Sequence, residues 1–179
     1  MVSEHLDRPG LWRASVPVFD GMLGRLAGEL AEAERQLGAA MAAALTQRPA
    51  AGMMAAAQQV ATAAQFTLRI AFPLAGARPP EVRGAFDLDG LQGRIAETRA
   101  LLAGLSPEAF VGAETRIVRG QAGFASLDLP GEAFLRDFGL PNVYFHHAMA
   151  HVALKQAGVR LGKADYDGIH LYPDGFSFG

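Results

Sequence analysis

The sequence predicts an all-α fold: a bundle of four long helices with one short β-hairpin between the third and the fourth. Three observations predict it. Apolar residues recur at three- and four-residue steps through four long segments, the period of a helix with a buried face. Breaker clusters such as Gly76-Ala-Arg-Pro-Pro80 separate those segments. Only the stretch around Gly120-Gln-Ala, Thr115 to Arg119 and Gly123 to Asp128, reads as a pair of strands.

The elements follow in order. Residues 1–10 read as a flexible lead-in to one domain spanning 1–179. The first helix runs from about Leu11 to Leu37 on Val16, Phe19, Leu23, Leu26, Leu30 and Leu37, with Glu29, Glu32, Glu34 and Arg35 assigned to its polar side. Pro17 is expected to break or offset its first turns, and Gly38 to stop it. A short helical piece, Ala39 to Leu45, precedes Arg48-Pro49. The second long helix is expected from about Ala51 to Ala75. Arg69 is its only charge, so it is apolar nearly all round and should be buried on more than one side. The third spans Leu88 to Leu105 with Asp87 as cap, and Ser106-Pro107 opens a further turn. The fourth starts after Pro130, is kinked or broken at Pro141, and ends near Gly158. Residues 159–179 read as an irregular C-terminal strap.

Composition excludes several classes. Half the residues are apolar and 19% charged, so the chain should fold. A net charge of −2 without basic clusters argues against nucleic acid as a partner. The absence of cysteine excludes a disulfide framework, a thiolate metal site and a cysteine nucleophile, and fits a cytoplasmic protein. Glu4, His5, Asp7 and Arg8 precede any apolar run, unlike a secretory signal. Ala50 to Leu68 carries no charge, but its glutamines, threonines and many alanines argue for a buried helix, so no membrane partner is expected.

The chemistry concentrates in the fourth helix. His147 and His151 stand four apart, a spacing that can chelate a metal; Asn142 and His146 are four apart on another face. With Asn142 taken as zero, His146 lies at about 40°, His147 at about 140° and His151 at about 180°. Phe138, Phe145, Met149 and Ala153 surround Asn142, so the Asn142/His146 pair should face the core and the His147/His151 pair the polar side. Gln59 is the second-helix residue expected near His146. Ser126 and Ser177 have nothing to activate them as nucleophiles, and Asp165 and Asp167 read as turn formers rather than calcium ligands.

The same residues carry a resemblance. Leu140-Pro-Asn-Val-Tyr-Phe-His146 resembles the fourth-helix motif, LPNFYFH, of an uncharacterised bacterial family within the DinB/YfiT-like superfamily of inferred metalloenzymes. Ala14-Ser-Val-Pro-Val-Phe19 is similar to that family's first-helix opening, Gly158-Val-Arg-Leu-Gly-Lys-Ala-Asp-Tyr166 to its C-terminal strap, and Gln59-Val60 to a second-helix Gln-Val. The resemblance implies a DinB-like four-helix bundle, often a homodimer, with a pocket between the helices. In metal-binding relatives three histidines meet there, one from the second helix and two, four apart, from the fourth.

Here the second helix has no histidine, and Asn142 takes the first fourth-helix position, leaving His146 alone. The expected site is therefore a neutral pocket of Gln59, Asn142 and His146, with no metal and no assigned catalysis. Were a metal present, His146 would be its first ligand, then His147 and His151, because an amide is a poor ligand for zinc. Two alternatives stand beside this reading: a zinc- or nickel-dependent transferase or hydrolase, thiol-dependent in the first case, and a module that binds an unknown small molecule.

Overall fold

The computed structural model describes residues 8–173 and 176, so most of the expected lead-in, Ser177 and the end of the strap lie outside the described residues. Helix α1 (Gly10–Leu37) opens the chain and is followed by a 3₁₀ turn (Gly38–Ala40) and a short α2 (Met41–Thr46). Helices α3 (Ala56–Leu74) and α4 (Leu88–Ala103) come next, then a 3₁₀ turn at Pro107–Phe110. Strands β1 (Ile117–Ala122) and β2 (Ala125–Pro130) pair antiparallel as the expected hairpin. The fourth long helix is a composite: a turn of α5 (Gly131–Ala133), a π-helical stretch (Phe134–Gly139) and α6 (Leu140–Gln156). A short α7 (Lys163–Asp167) sits within the segment expected to be irregular.

Helix α1 buries Trp12, Val16, Phe19, Leu23, Leu26 and Leu30 along one stripe. Each of these large side chains contributes roughly 1.5–3 kcal/mol on leaving water. Pro17 lies inside the helix and does not end it; the helix forgoes one backbone hydrogen bond there. Gly38, at φ 51°, stops it by adopting a conformation that side chains resist.

The buried centre of the bundle is α3, which packs most extensively on α6, next on α4 and then on α1. It starts five residues later than the sequence suggested, after a loop. Thirteen of its nineteen residues are buried, all within one chain. Its apolar circumference is thus accounted for without a second subunit.

The three glutamines of α3 each close a different contact. Gln58 caps the helix, its Oε1 accepting from the Ala55 amide at 3.0 Å. Gln65 pins the following loop by donating to the Pro80 carbonyl at 2.8 Å and accepting from the Val82 amide at 3.1 Å. Gln59 reaches α6.

Asp87 caps α4, accepting from the Gly90 amide at 2.8 Å, as its position predicts. The hairpin turns on Gly123 and Phe124, with Gly123 at φ 58° in the first central place, where a two-residue turn requires glycine. Near Pro141 the chain stays helical and does not break. Proline cannot donate to the carbonyl four residues back, and the wider π register before it absorbs that defect. The Asn142 side-chain amide donates to the Phe138 carbonyl at 2.7 Å within the same stretch.

Close approach at Gly131 yields a first prediction. A Cβ there would lie 2.0 Å from the Ala113 carbonyl oxygen, so Gly131→Ala should destabilise by about 1–3 kcal/mol. Gly28, exposed within α1, has nothing within 4 Å, so Gly28→Ala should stabilise by roughly 0.5–1 kcal/mol. Urea denaturation of the two variants checks the opposite signs.

Candidate functional site

The orientation of α6 decides which imidazoles meet which neighbours. Its buried residues are Val143, His146, His147, Ala150, Ala153 and Leu154. They span an arc from about 20° to about 140° on the wheel used above, centred near Ala150. The inward sector is therefore rotated by about 80° from the expected one centred on Asn142. His146 and His147 stand at the two edges of the arc, and both are buried. Asn142 is half-buried and Phe145, expected inside, is 48% exposed. The assignment of His147 and His151 to a polar face is thus corrected: His147 is 1% exposed, and the side chain of His151 is 13% exposed. The physical reason is that α6 is apolar on its outer side too, so only its neighbours, α3 at one edge and α1 at the other, fix the rotation.

At the α3 edge, His146 Nδ1 lies 2.7 Å from Gln59 Oε1. Gln59 turns its amide nitrogen toward the Met54 carbonyl, 3.4 Å away, so its oxygen faces the ring. His146 therefore donates from Nδ1 and keeps a lone pair on Nε2. Phe66 stacks on the imidazole at 5.3 Å, and Phe145 meets it edge-on at 5.2 Å. Burial, and then the nearby Arg69 charge, hold its pKa below the usual histidine value, which favours the neutral ring. Asn142 does not join this pair, because its side chain bonds the Phe138 carbonyl.

A second cluster lies at the α1 edge. Glu29 is buried at 1% exposure, although the sequence reading put it on the polar side. His151 Nδ1 donates to its Oε1 at 2.8 Å, and His147 Nε2 stands 3.5 Å from its Oε2. That second contact is too long to be a hydrogen bond, and both atoms are buried without another partner. Burial alone would raise the Glu29 pKa, but the two imidazoles beside the carboxylate, His147 in close approach and His151 hydrogen-bonded, outweigh it and hold the carboxyl below its usual range. Tyr166 of α7 closes the cluster, its ring 4.4 Å from that of His147 and 5.9 Å from that of His151. Arg25 on α1 fastens α7 by donating to the Tyr166 carbonyl at 2.8 Å. A partial signal for Glu29 existed in the sequence: on the α1 wheel it falls about 40° from Ala33 and about 60° from Leu26, at the margin of the apolar stripe. Tyr166 had no such signal.

The donor sets test the metal that the fold implies. Gln59, Asn142 and His146 offer one imidazole and two amides already engaged elsewhere, which does not fit a zinc site. Glu29, His147 and His151 offer suitable donor types. However, His151 Nδ1 is spent on the carboxylate, and among the described residues no three His, Cys, Asp or Glu side chains are arranged to hold a metal ion. Of the other candidates, Ser126 is exposed on β2. Asp167 forms a turn, accepting from the Ile169 and His170 amides at 2.9 and 3.1 Å. Asp165 bonds the Gly162 amide at 2.7 Å, closing the start of α7.

Acidification should remove stability in two windows. The unfolded reference is about 6.5 for His146 and 4.5 for Glu29, and both folded values are lower. Each therefore contributes stability above its unfolded value and loses it as pH falls through its folded value. Urea denaturation across pH should show the upper window abolished in His146→Gln and the lower in Glu29→Gln. A profile flat from neutrality to about pH 5 would contradict the first, and one with no further loss between about pH 5 and about pH 2 the second.

Among solved structures, the chain is similar to a DinB family member protein from Shewanella denitrificans at 29% identity and a TM-score of 0.81, covering 90% of this chain and 94% of that one. No curated protein matches the sequence. No described helix is long and apolar enough to cross a membrane. A family match covers residues 11–167, from the first turn of α1 to the last residue of α7, and the chain belongs to the family described as Domain of unknown function (DUF1993).

Proposed function

We propose that this DinB-like bundle is a metal-independent, cytoplasmic module that binds a small molecule at the neutral pocket around Gln59 and His146, where metal-binding relatives hold their ion. The observation that carries this reading is the bond from His146 Nδ1 to Gln59 Oε1. It consumes the one amide that could have replaced the missing second-helix ligand and leaves Nε2 of a neutral imidazole as an acceptor. Aromatic rings on two sides, Phe66 and Phe145, suit a ligand with apolar character and one hydrogen-bond donor.

One observation favours the metal-dependent alternative, and it moves the centre from His146 to the α1 edge. Glu29 Oε2 and His147 Nε2 are both buried and unpartnered, 3.5 Å apart. Elemental analysis of untagged protein grown with zinc, nickel, manganese and iron separates the readings. The expected result is no stoichiometric metal. About one metal per chain, lost in His147→Ala and kept in His146→Ala, would replace the first reading by the second.

The homodimer is proposed on the outer face of α6. Helix α3 is covered within its own chain, whereas the outer face of α6 presents Pro141, Tyr144, Phe145, Ala148 and Val152, with Lys155 as its charge. Tyr144 is 41% and Phe145 48% exposed. A contiguous apolar face of this kind marks an interaction surface. Sedimentation equilibrium should find dimer for the natural chain and monomer for Ala148→Glu, with the helical circular dichroism unchanged. Monomer for the natural chain would remove the proposal.

A further inference from the structure

We propose that the cleft between α3, the hairpin and the π-helical stretch is a second binding site, for a small organic anion with a flat apolar body, such as an aromatic carboxylate. The cleft has a volume of about 670 Å³, and its lining includes Phe138 but neither Phe66 nor His146. The inference therefore stands apart from the pocket proposed above.

Charge is the first argument. In a chain of net charge −2, the charged groups lining this cleft are Arg69 and Arg119, and no carboxylate lines it. Arg69 is held in place: Nη2 donates to the Gln121 carbonyl at 2.7 Å, and the guanidinium lies 4.5 Å from the Phe66 ring centre. Among the described residues it has no carboxylate partner, so its remaining donors are available. Arg119 faces Asp128 across the hairpin at 3.5 Å with its side chain 89% exposed, and such a contact contributes little. A planar guanidinium fork matches a carboxylate in two parallel hydrogen bonds.

Shape is the second argument. Phe138 of the π-helical stretch, half-buried, supplies the aromatic wall, backed by the buried Phe134 ring 5.4 Å away, and Pro73 adds a further apolar wall. Helical segments of this wider register occur frequently at functional sites. Gly120 lets β1 lie directly on Phe134, since a Cβ there would come within 2.6 Å of the ring. That close seat brings Arg119 and Gln121 to the cleft. The aromatic wall favours a flat apolar body, and the guanidiniums select its negative end. A strongly hydrated anion without such a body gains only the charge, and an amine is repelled.

The test is calorimetric titration of the full chain with naphthoate, inorganic phosphate and naphthylmethylamine. Naphthoate should bind, phosphate should bind at least about tenfold more weakly, and the amine should not bind. Arg119→Gln should weaken naphthoate about tenfold, because it removes a charge-assisted hydrogen bond. Arg69→Gln should weaken it further; since that variant also loses a hairpin contact, the exposed Arg119 provides the deciding measurement. Arg83→Gln, at an exposed arginine paired with Glu81 and outside the cleft, should leave binding unchanged, as should His146→Gln. Loss of binding in His146→Gln would move the ligand to the other pocket and overturn this assignment. Full affinity in Arg119→Gln, phosphate binding as tight as naphthoate, or no naphthoate binding at millimolar concentration would each overturn it as well.

Discussion

Leaving a buried imidazole without a hydrogen bond is costly, and the seating of α6 follows from the partners found by His146 and His151. The helix carries His146, His147 and His151 toward the interior, and leaving such a group without a partner costs about 1–3 kcal/mol. Gln59 on α3 and Glu29 on α1 meet the rings at opposite edges of the apolar seam formed by Val143, Ala150, Ala153 and Leu154. Rotating α6 either way would break one pair. The apolar seam supplies the driving force, which is indifferent to small rotations, and the two polar pairs supply the direction.

Small residues let those pairs form. Helix α3 turns Ala56, Ala57, Ala61, Ala63, Ala64 and Ala71 into the core, so its neighbours can approach closely. At Gly139 a Cβ would stand 2.8 Å from Ile70 Cγ2, which shows how near the start of the fourth helix lies to α3. Within such a helix a charged side chain would be expensive, and glutamine is the residue that can reach across without one. The three glutamines of α3 accordingly make contacts to its own first turn, to α6 and to the loop before α4.

Adjacent histidines on one helix thereby acquire different chemistry. His146 faces an amide and two aromatic rings and is held neutral by burial and the Arg69 charge. His147, one residue on, faces a carboxylate that its own cluster keeps ionised. Tyr166 and α7 lie over the second environment, so the C-terminal segment contributes to the electrostatics of the core. The first environment suits an uncharged donor on a ligand. The second is a buried carboxylate–imidazole cluster whose stability is linked to pH through Glu29.

The sequence by itself determined the helical architecture, the hairpin and its place, the cap at Asp87, the stop at Gly38 and the burial of α3. These depend on local periodicity and on residues whose backbone preferences act within a few positions. It also brought Gln59 and His146 together as a candidate pair, through their chemistry and through the family resemblance. Tertiary structure decided the rest. The rotation of α6 was not legible, because Tyr144, Phe145, Ala148 and Val152 make its outer face as apolar as its inner one, and pattern alone does not choose between two apolar sides. The Glu29 cluster joins residues more than a hundred positions apart, and the cover of Tyr166 depends on where a tail lands. The cleft of Arg69 and Arg119 arises only when the hairpin folds back on α3. Local energetics set which segments are helices; the pairing of buried polar groups set how those helices face one another.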